Sequence, residues 1–405
     1  MSALSRWWIA LVLILTLPAG LASAAPGQAA AERFQVEPAP RGWAGAAVVL
    51  DWETGEVLYQ RNAYQRRAPA STTKVLTALI ALERGNLDDL VTVSRRAART
   101  GGSSMYIREG EVYSLYDLLH GLLLRSGNDA AVAIAEHIGG SVEGFAQLMN
   151  ARARELGATR SHFVNPHGLT HREHLSTAYD LAVITRAALR NPLFARIVSQ
   201  GSVPITFEQL GRDTILYNTN KLLGWLPGAD GVKTGTTAAA GPCLIASATR
   251  DGQKVIAVVL HASNRWRESA ELLEWAFRNF QVADLGQAGD VLQHVTVRDG
   301  KRPSVPVALT ADLSAVLPRK GGQVPSIQVQ LQQRVQAPVA KGQPLGVAII
   351  ETGGSRTEVV LAAAESVPRA TWLDRLQQFL VSLLRITDFL DLSLLFGHTS
   401  RLSPS

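Results

Sequence analysis

The sequence predicts an α+β fold, an antiparallel sheet plus a helical cluster, followed by a small all-β domain and a C-terminal amphipathic helix. Three observations carry that expectation. Strand-like runs stand at both ends of residues 46–260 with helical periodicity between them, so the terminal strands should share one antiparallel sheet. After about Gln281 the texture changes to short alternating segments such as Ile327-Gln328-Val329-Gln330-Leu331, separated by Pro, Gly and Lys. From Trp372 it changes again, to a stripe of Leu373, Leu376, Leu380, Leu383 and Leu390 with Asp374, Arg375, Gln378, Arg385 and Asp388 outside it. The 405 residues leave room for two or three domains, and 46% hydrophobic against 18% charged residues is the composition of a folding chain.

The elements follow in order. Arg6 precedes an apolar run from Trp7 to Leu17, Pro18 and Gly20 break it, and Ala22-Ser23-Ala24 supplies a small-residue cleavage site. That is the three-part layout of a secretory signal, with cleavage expected after Ala24. An uncleaved anchor is the competing reading, but the run is shorter than the roughly 17 to 25 residues that span a bilayer. Export to the cell envelope follows, on the outer face of the cytoplasmic membrane. Ala46–Asp51 and Glu56–Tyr59 flank Glu53-Thr54-Gly55 as an antiparallel hairpin. Pro69 precedes a helix over Ser71–Arg84, where Val75, Leu76, Leu79, Ile80 and Leu82 recur at helical spacing and Gly85 stands at the C′ position. Further helices are expected over Ser114–Arg125, Asn128–Ile138, Val142–Leu156 and Thr177–Leu189. Gly231–Thr236 reads as a short strand, and Cys243–Thr249 and Lys254–Leu260 as strands joined through Asp251-Gly252. Glu268–Phe280 closes this part as a helix. The expected divisions are a signal at 1–24, a catalytic domain at 25–281, a β-sandwich-like domain at 282–367, a membrane-associating helix at 368–396 and a tail at 397–405.

Composition excludes several partners. The net charge is +6, but no basic run interleaved with aromatics appears, so a nucleic-acid partner is not expected. Attraction to an anionic wall or membrane stays open. Cys243 has no partner for an intrachain disulfide or a zinc site and should be a small buried hydrophobe. His162, His167, His171 and His174 crowd one loop, yet no HExxH or carboxylate pattern accompanies them. They read as polar loop histidines, and no metal or cofactor is expected. Gly228–Thr234 glances at a phosphate loop, but Val232 occupies the place where that loop needs glycine.

Chemistry begins at Ser71-Thr72-Thr73-Lys74, which puts a hydroxyl and an amine three residues apart on one face of a first helical turn. A lysine can serve as the base for a serine nucleophile if burial or a second cation depresses its pKa. Ser126-Gly127-Asn128 offers a second hydroxyl and an amide at a turn between two helices. Lys233-Thr234-Gly235 supplies a cation, a hydroxyl and a glycine that permits close approach to the backbone of a short strand.

With these three motifs, Asn165-Pro166-His167-Gly168-Leu169, Asp230–Thr237, and Arg265 ahead of Leu272-Leu273-Glu274-Trp275, the chain resembles the penicillin-binding serine acyltransferases. Among them it is most similar to the low-molecular-mass D-alanyl-D-alanine carboxypeptidases, over nearly the whole mature chain. The resemblance implies a β-lactamase/transpeptidase-like catalytic domain and removal of the terminal D-alanine from peptidoglycan stem peptides ending in D-Ala-D-Ala, through a Ser71 acyl-enzyme. It implies Lys74 as the neutral base, with Lys233 helping to keep it neutral, Ser126 as proton relay to the leaving amine, and Asn128 on the substrate backbone. Thr234 and Arg265 would hold the terminal carboxylate, with Arg267 as the competing arginine. The backbone N–H groups of Ser71 and Thr236 beside Gly235 would form the oxyanion hole. It also implies acylation by β-lactams and attachment to the membrane surface through the terminal helix. Competing readings are a D,D-endopeptidase on cross-links, a class A-like β-lactamase, and a catalytically idle wall-binding protein. The β-lactamase would carry a Glu-x-x-Leu-Asn that this chain lacks, and intact Ser71 and Lys74 argue against the idle protein.

Overall fold

The first predicted strand is apolar at every position from Ala46 to Leu50, and that unbroken run decides the layering. The computed structural model describes residues 36–207, 211–322, 324–352 and 355–376. The expected signal, most of the terminal helix and the tail lie outside them. Strands β1 (Ala46–Asp51) and β2 (Val57–Arg61) form the expected hairpin. Ala46, Val48 and Leu50 enter one apolar core while Ala47 and Val49 enter another, because successive side chains of a strand face opposite sides. The sheet is therefore covered on both faces.

A one-turn 3-10 segment, Ala70–Thr73, leads into α1 (Lys74–Arg84). The expected helix thus begins as a tighter turn. Gly85 ends the helix as its C′ position suggested, with an extended backbone, φ −98°, rather than the left-handed one glycine commonly takes there. A Cβ there would collide with Leu115 Cδ2 and crowd Ala81 O. Strands β3 (Leu90–Thr92) and β4 (Val112–Ser114) pair at the edge of a helical cluster. The cluster contains α2 (Leu115–Leu123), α3 (Asn128–Gly139), α4 (Val142–Glu155) and α5 (Ala178–Ala188), with Ser114, Ser141 and Thr177 side chains capping α2, α4 and α5. The β3/β4 pair was not foreseen, nor were α6 (Pro192–Ser199), capped by Asn191, and the hairpin of β5 (Ser202–Phe207) with β6 (Arg212–Tyr217). Pro204 and the charges of Arg212 and Asp213 blur the hairpin's alternation.

Strands β7 (Ala229–Thr237), β8 (Gly241–Arg250) and β9 (Gln253–Leu260) complete a five-stranded sheet in the order β2-β1-β9-β8-β7. Asp251 and Gly252 both have positive φ, 48° and 80°, as the tight hairpin requires. α7 (Arg265–Asn279) packs on the face opposite the helical cluster. β7, the strand carrying the third motif, is left at the sheet edge.

β10 (Phe280–Gly286) follows α7 without a linker, and Phe280 joins Trp275 in the catalytic core at 5.3 Å between ring centres. The remaining strands are β11 (Val291–Arg298), β12 (Ser304–Leu309), β13 (Leu313–Pro318), β14 (Gln328–Leu331), β15 (Arg334–Gln336), β16 (Pro344–Thr352) and β17 (Ser355–Ala363). β10 pairs with β13, and the other six make a sheet ordered β14-β16-β17-β12-β11-β15. Residues of both sheets share one core, including Leu313, Val305, Leu345 and Leu361. Val367 is buried there and bridges Val339, and Arg369 bridges Gly300, so the β domain extends through these residues. Helix then runs over 372–376, opened by reciprocal Thr371 and Asp374 hydrogen bonds. Among the described residues no helix is long and apolar enough to cross a membrane.

Candidate active site

The three motifs meet where the 3-10 turn, the start of α3 and β7 converge. Ser71 lies in the turn, and Lys74, the first residue of α1, points its Nζ back to within 3.1 Å of Ser71 Oγ. The same nitrogen lies 2.6 Å from Asn128 Oδ1 and 2.8 Å from the carbonyl oxygen of His167. Asn128 Nδ2 donates to Gly101 O at 2.7 Å, which fixes the amide so that its oxygen faces the lysine.

Lys74 is fully buried, and burial is the leading reason its pKa falls well below that of an ordinary lysine; the charge of Lys233 adds to the effect and Asp129 opposes it. The neutral form also fits the contacts. A neutral amine has two N–H bonds and one lone pair. Two carbonyl oxygens, which can only accept, take the two hydrogens, and the lone pair is left for the Ser71 hydroxyl. Like-charge repulsion from Lys233, the cause implied by resemblance, is therefore second to desolvation.

Ser126 sits between α2 and α3 with φ +62°, and its hydroxyl is buried with no hydrogen-bond partner among the described residues. That conformation is uncommon for a residue with a side chain, and such strain gathers at functional sites. The following helix start is locked by Asp129, which accepts from Ser104 Oγ at 2.5 Å and from the amides of Met105 and Ile107.

On β7, Lys233 and Gly235 point to the face against which the 3-10 turn packs. Lys233 is also fully buried, and burial followed by the Arg265 charge brings its pKa down to about 7. Its Nζ donates to Thr234 O at 3.3 Å. Arg265, at the N-terminus of α7, reaches Thr236 Oγ1 at 2.8 Å and Gly235 O at 2.9 Å. Arg267 turns away, exposed, to pair with Glu271 at 2.7 Å. Tertiary geometry thus separates two arginines that the sequence left as alternatives. Together these groups offer a hydroxyl nucleophile with a neutral amine beside it, and cations on the opposite wall: the equipment of acyl transfer through a serine ester.

Several contributors were not read from the sequence. Thr219 Oγ1 lies 2.7 Å from Thr234 Oγ1, while its amide donates to Leu124 O, two residues before Ser126. Asp230 pins the start of β7 by accepting from Ser247, Thr249 and Lys254. The turn residues Asn218-Thr219-Asn220 were the available signal for Thr219. The loop histidines do not converge: His171 is exposed and its Nδ1 accepts from the Glu173 amide, whereas His174 is buried against Thr73. Among the described residues no group of three or more His, Cys, Asp or Glu could hold a metal. Cys243 is buried, as expected.

Comparison with known proteins places this geometry. Residues 33–264 match the family model described as D-alanyl-D-alanine carboxypeptidase, peptidase S11, and residues 280–369 match that of the penicillin-binding protein 5 C-terminal domain. The D-alanyl-D-alanine carboxypeptidase DacF of Bacillus subtilis is 35% identical over 351 residues, covering 83% of this chain and 88% of the relative. DacC of Escherichia coli is 32% identical over 378 residues, covering 88% and 92%. Among solved structures, penicillin-binding protein 5 from Haemophilus influenzae superposes with a TM-score of 0.71 at 32% identity, over 82% of this chain and 99% of that one.

Proposed function

The chain belongs to the D-alanyl-D-alanine carboxypeptidase family, and from that premise we propose how its residues divide the work of removing a terminal D-alanine. The protein is a serine-type D-alanyl-D-alanine carboxypeptidase acting on peptidoglycan stem peptides in the cell envelope. The observation that carries the assignment of roles is the placement of Lys74 Nζ, with two carbonyl acceptors and one hydroxyl around a buried amine.

In this reading Ser71 Oγ attacks the carbonyl carbon of the penultimate D-alanine as Lys74 takes its proton. The Ser71 and Thr236 amides receive the developing oxyanion, which stabilises it by about 2.7 to 4 kcal/mol per donor. The C–N bond then breaks, and the proton passes from Lys74 through the Ser126 hydroxyl to the departing amine of the terminal D-alanine. Water hydrolyses the ester, giving its proton back to Lys74 and restoring Ser71. Asn128 holds Lys74 and the substrate backbone. Lys233, Thr234 and Arg265 hold the free carboxylate, which is the mark of a carboxypeptidase substrate.

The same Ser71 is the proposed target of β-lactams, whose strained amide offers a carbonyl to the same nucleophile. The terminal helix is proposed to lie on the membrane surface. Trp372, Leu373 and Leu376 are 73%, 57% and 49% exposed at its start, apolar side chains that a headgroup boundary would cover. Incubation with pentapeptide muropeptides tests the function: the products should each be lighter by one alanine. Conversion of cross-linked dimers to monomers without alanine release would favour the endopeptidase instead.

A further inference from the structure

We propose that His174, outside all three motifs, is a positioning residue that aims the Ser71 amide of the oxyanion hole. The inference rests on the reading of Ser71 as nucleophile.

His174 is 1% exposed, and both of its ring nitrogens are engaged. Nδ1 accepts from the Val164 amide at 3.1 Å. A neutral imidazole that accepts at one nitrogen carries its proton on the other, so Nε2 donates to Thr73 Oγ1, 2.9 Å away. Thr73 Oγ1 in turn donates to Ala70 O at 2.9 Å. The chain of donors ends on one carbonyl. Phe163 packs edge-on against the imidazole at 5.5 Å between ring centres, which fixes the ring plane.

That carbonyl is held from a second side. Gly168, with φ +87°, passes so close that a Cβ on it would collide with Ala70 O and stand 2.9 Å from Thr73 Oγ1. Ala70 itself has φ +50°, a conformation an alanine keeps only when its surroundings impose it. The carbonyl of Ala70 and the amide of Ser71 belong to one planar trans peptide, so they point in opposite directions. Holding the carbonyl toward the loop of residues 162–175 turns the Ser71 N–H to the other side, where Gly235 of β7 passes. His174 thereby sets the direction of a hydrogen bond donor it never touches.

Two substitutions separate this role from a merely structural one. In His174→Asn the amide oxygen can still accept from Val164, but nothing reaches Thr73. In His174→Gln the amide nitrogen falls near the place of Nε2 and restores the Thr73 bond while giving up Val164. Acylation by a fluorescent penicillin should be about ten-fold slower in His174→Asn and rescued in His174→Gln, at similar thermal midpoints. The ester carbonyl stretch of the acylated His174→Asn enzyme should shift to higher wavenumber, since a weaker oxyanion hole polarises it less. Thr73→Val should reproduce both effects, and combining it with His174→Asn should add nothing. Equal losses in the two His174 variants, additive losses in the double variant, or an unshifted stretch in Thr73→Val would overturn the proposal. Thr73→Val keeps the shape of threonine and so decides the matter even if a His174 variant does not fold. Mass spectrometry of the acylated wild type checks the underlying reading separately: an adduct away from Ser71 would sink the nucleophile assignment itself.

Discussion

Gly235 of the third motif lies against the amide of Ser71 of the first: a methyl group on Gly235 would stand 2.9 Å from Ser71 N and 3.1 Å from both Ala70 Cβ and Thr72 N. The glycine is required by proximity, because no side chain fits between β7 and the 3-10 turn.

Gly235→Ala should therefore push β7 away from Ser71 and separate the two oxyanion donors. Losing one such donor costs about 10²- to 10³-fold in rate. Acylation kinetics should show a fall of that order, and the free energy of unfolding should drop by the modest amount that overpacking brings, about 1 to 3 kcal/mol. Near-normal acylation would mean that Thr236 does not share the oxyanion.

Lys74→Arg retains a positive charge but cannot release a proton. Labelling by fluorescent penicillin should be nearly abolished. Substantial labelling would show that Lys74 acts as a charge and that another group takes the proton from Ser71.

Lys233 contributes to stability with a definite sign. Its folded pKa of about 7 lies below its ordinary value of 10.5, so across that window the unfolded chain binds a proton that the folded chain does not. Folding stability then rises with pH through the window. Lys233→Met removes the burden of burying the amine. The variant should be catalytically crippled yet melt higher than the wild type below about pH 7, with the advantage fading as the pH approaches 10.5. Melting curves at several pH values test this, and an advantage that grows with pH would contradict it.

Arg265→Ala should raise KM for peptides with a free terminal carboxylate far more than for amidated ones. Arg267→Ala should leave both unchanged, because its side chain faces solvent and Glu271. If the arginine at 265 affects both substrates equally, its bonds to Thr236 and Gly235 are structural.

Truncation after Thr371 keeps buried Val367 and the Ala370 amide, which donates to Asp299 O at 2.7 Å. The shortened protein should leave the membrane fraction and retain activity on small peptides. Retention on membranes would place the attachment elsewhere.

The sequence by itself determined the identity of the chemistry and most of the elements that carry it. Ser71 and Lys74 are local: three residues of helical turn bring hydroxyl and amine to one face whatever surrounds them. The hairpin at Asp251-Gly252 and the apolar strand Ala46–Leu50 are local in the same sense, set by turn chemistry and by the two-residue period that sends an unbroken apolar run to both faces. The hairpin of β5 with β6 escaped because its alternation is interrupted, and the 3-10 opening of α1 because hydrophobic spacing does not distinguish one kind of turn from another. Only the tertiary structure decided what lowers the pKa of Lys74, since its burial comes from packing, as does the approach of the His167 carbonyl from 93 residues away. It also decided which arginine faces the site and made Thr219 and His174 neighbours of the motifs. These are contacts between residues distant in the chain, where hydrogen-bond partners depend on how whole elements pack, and no short-range pattern records them.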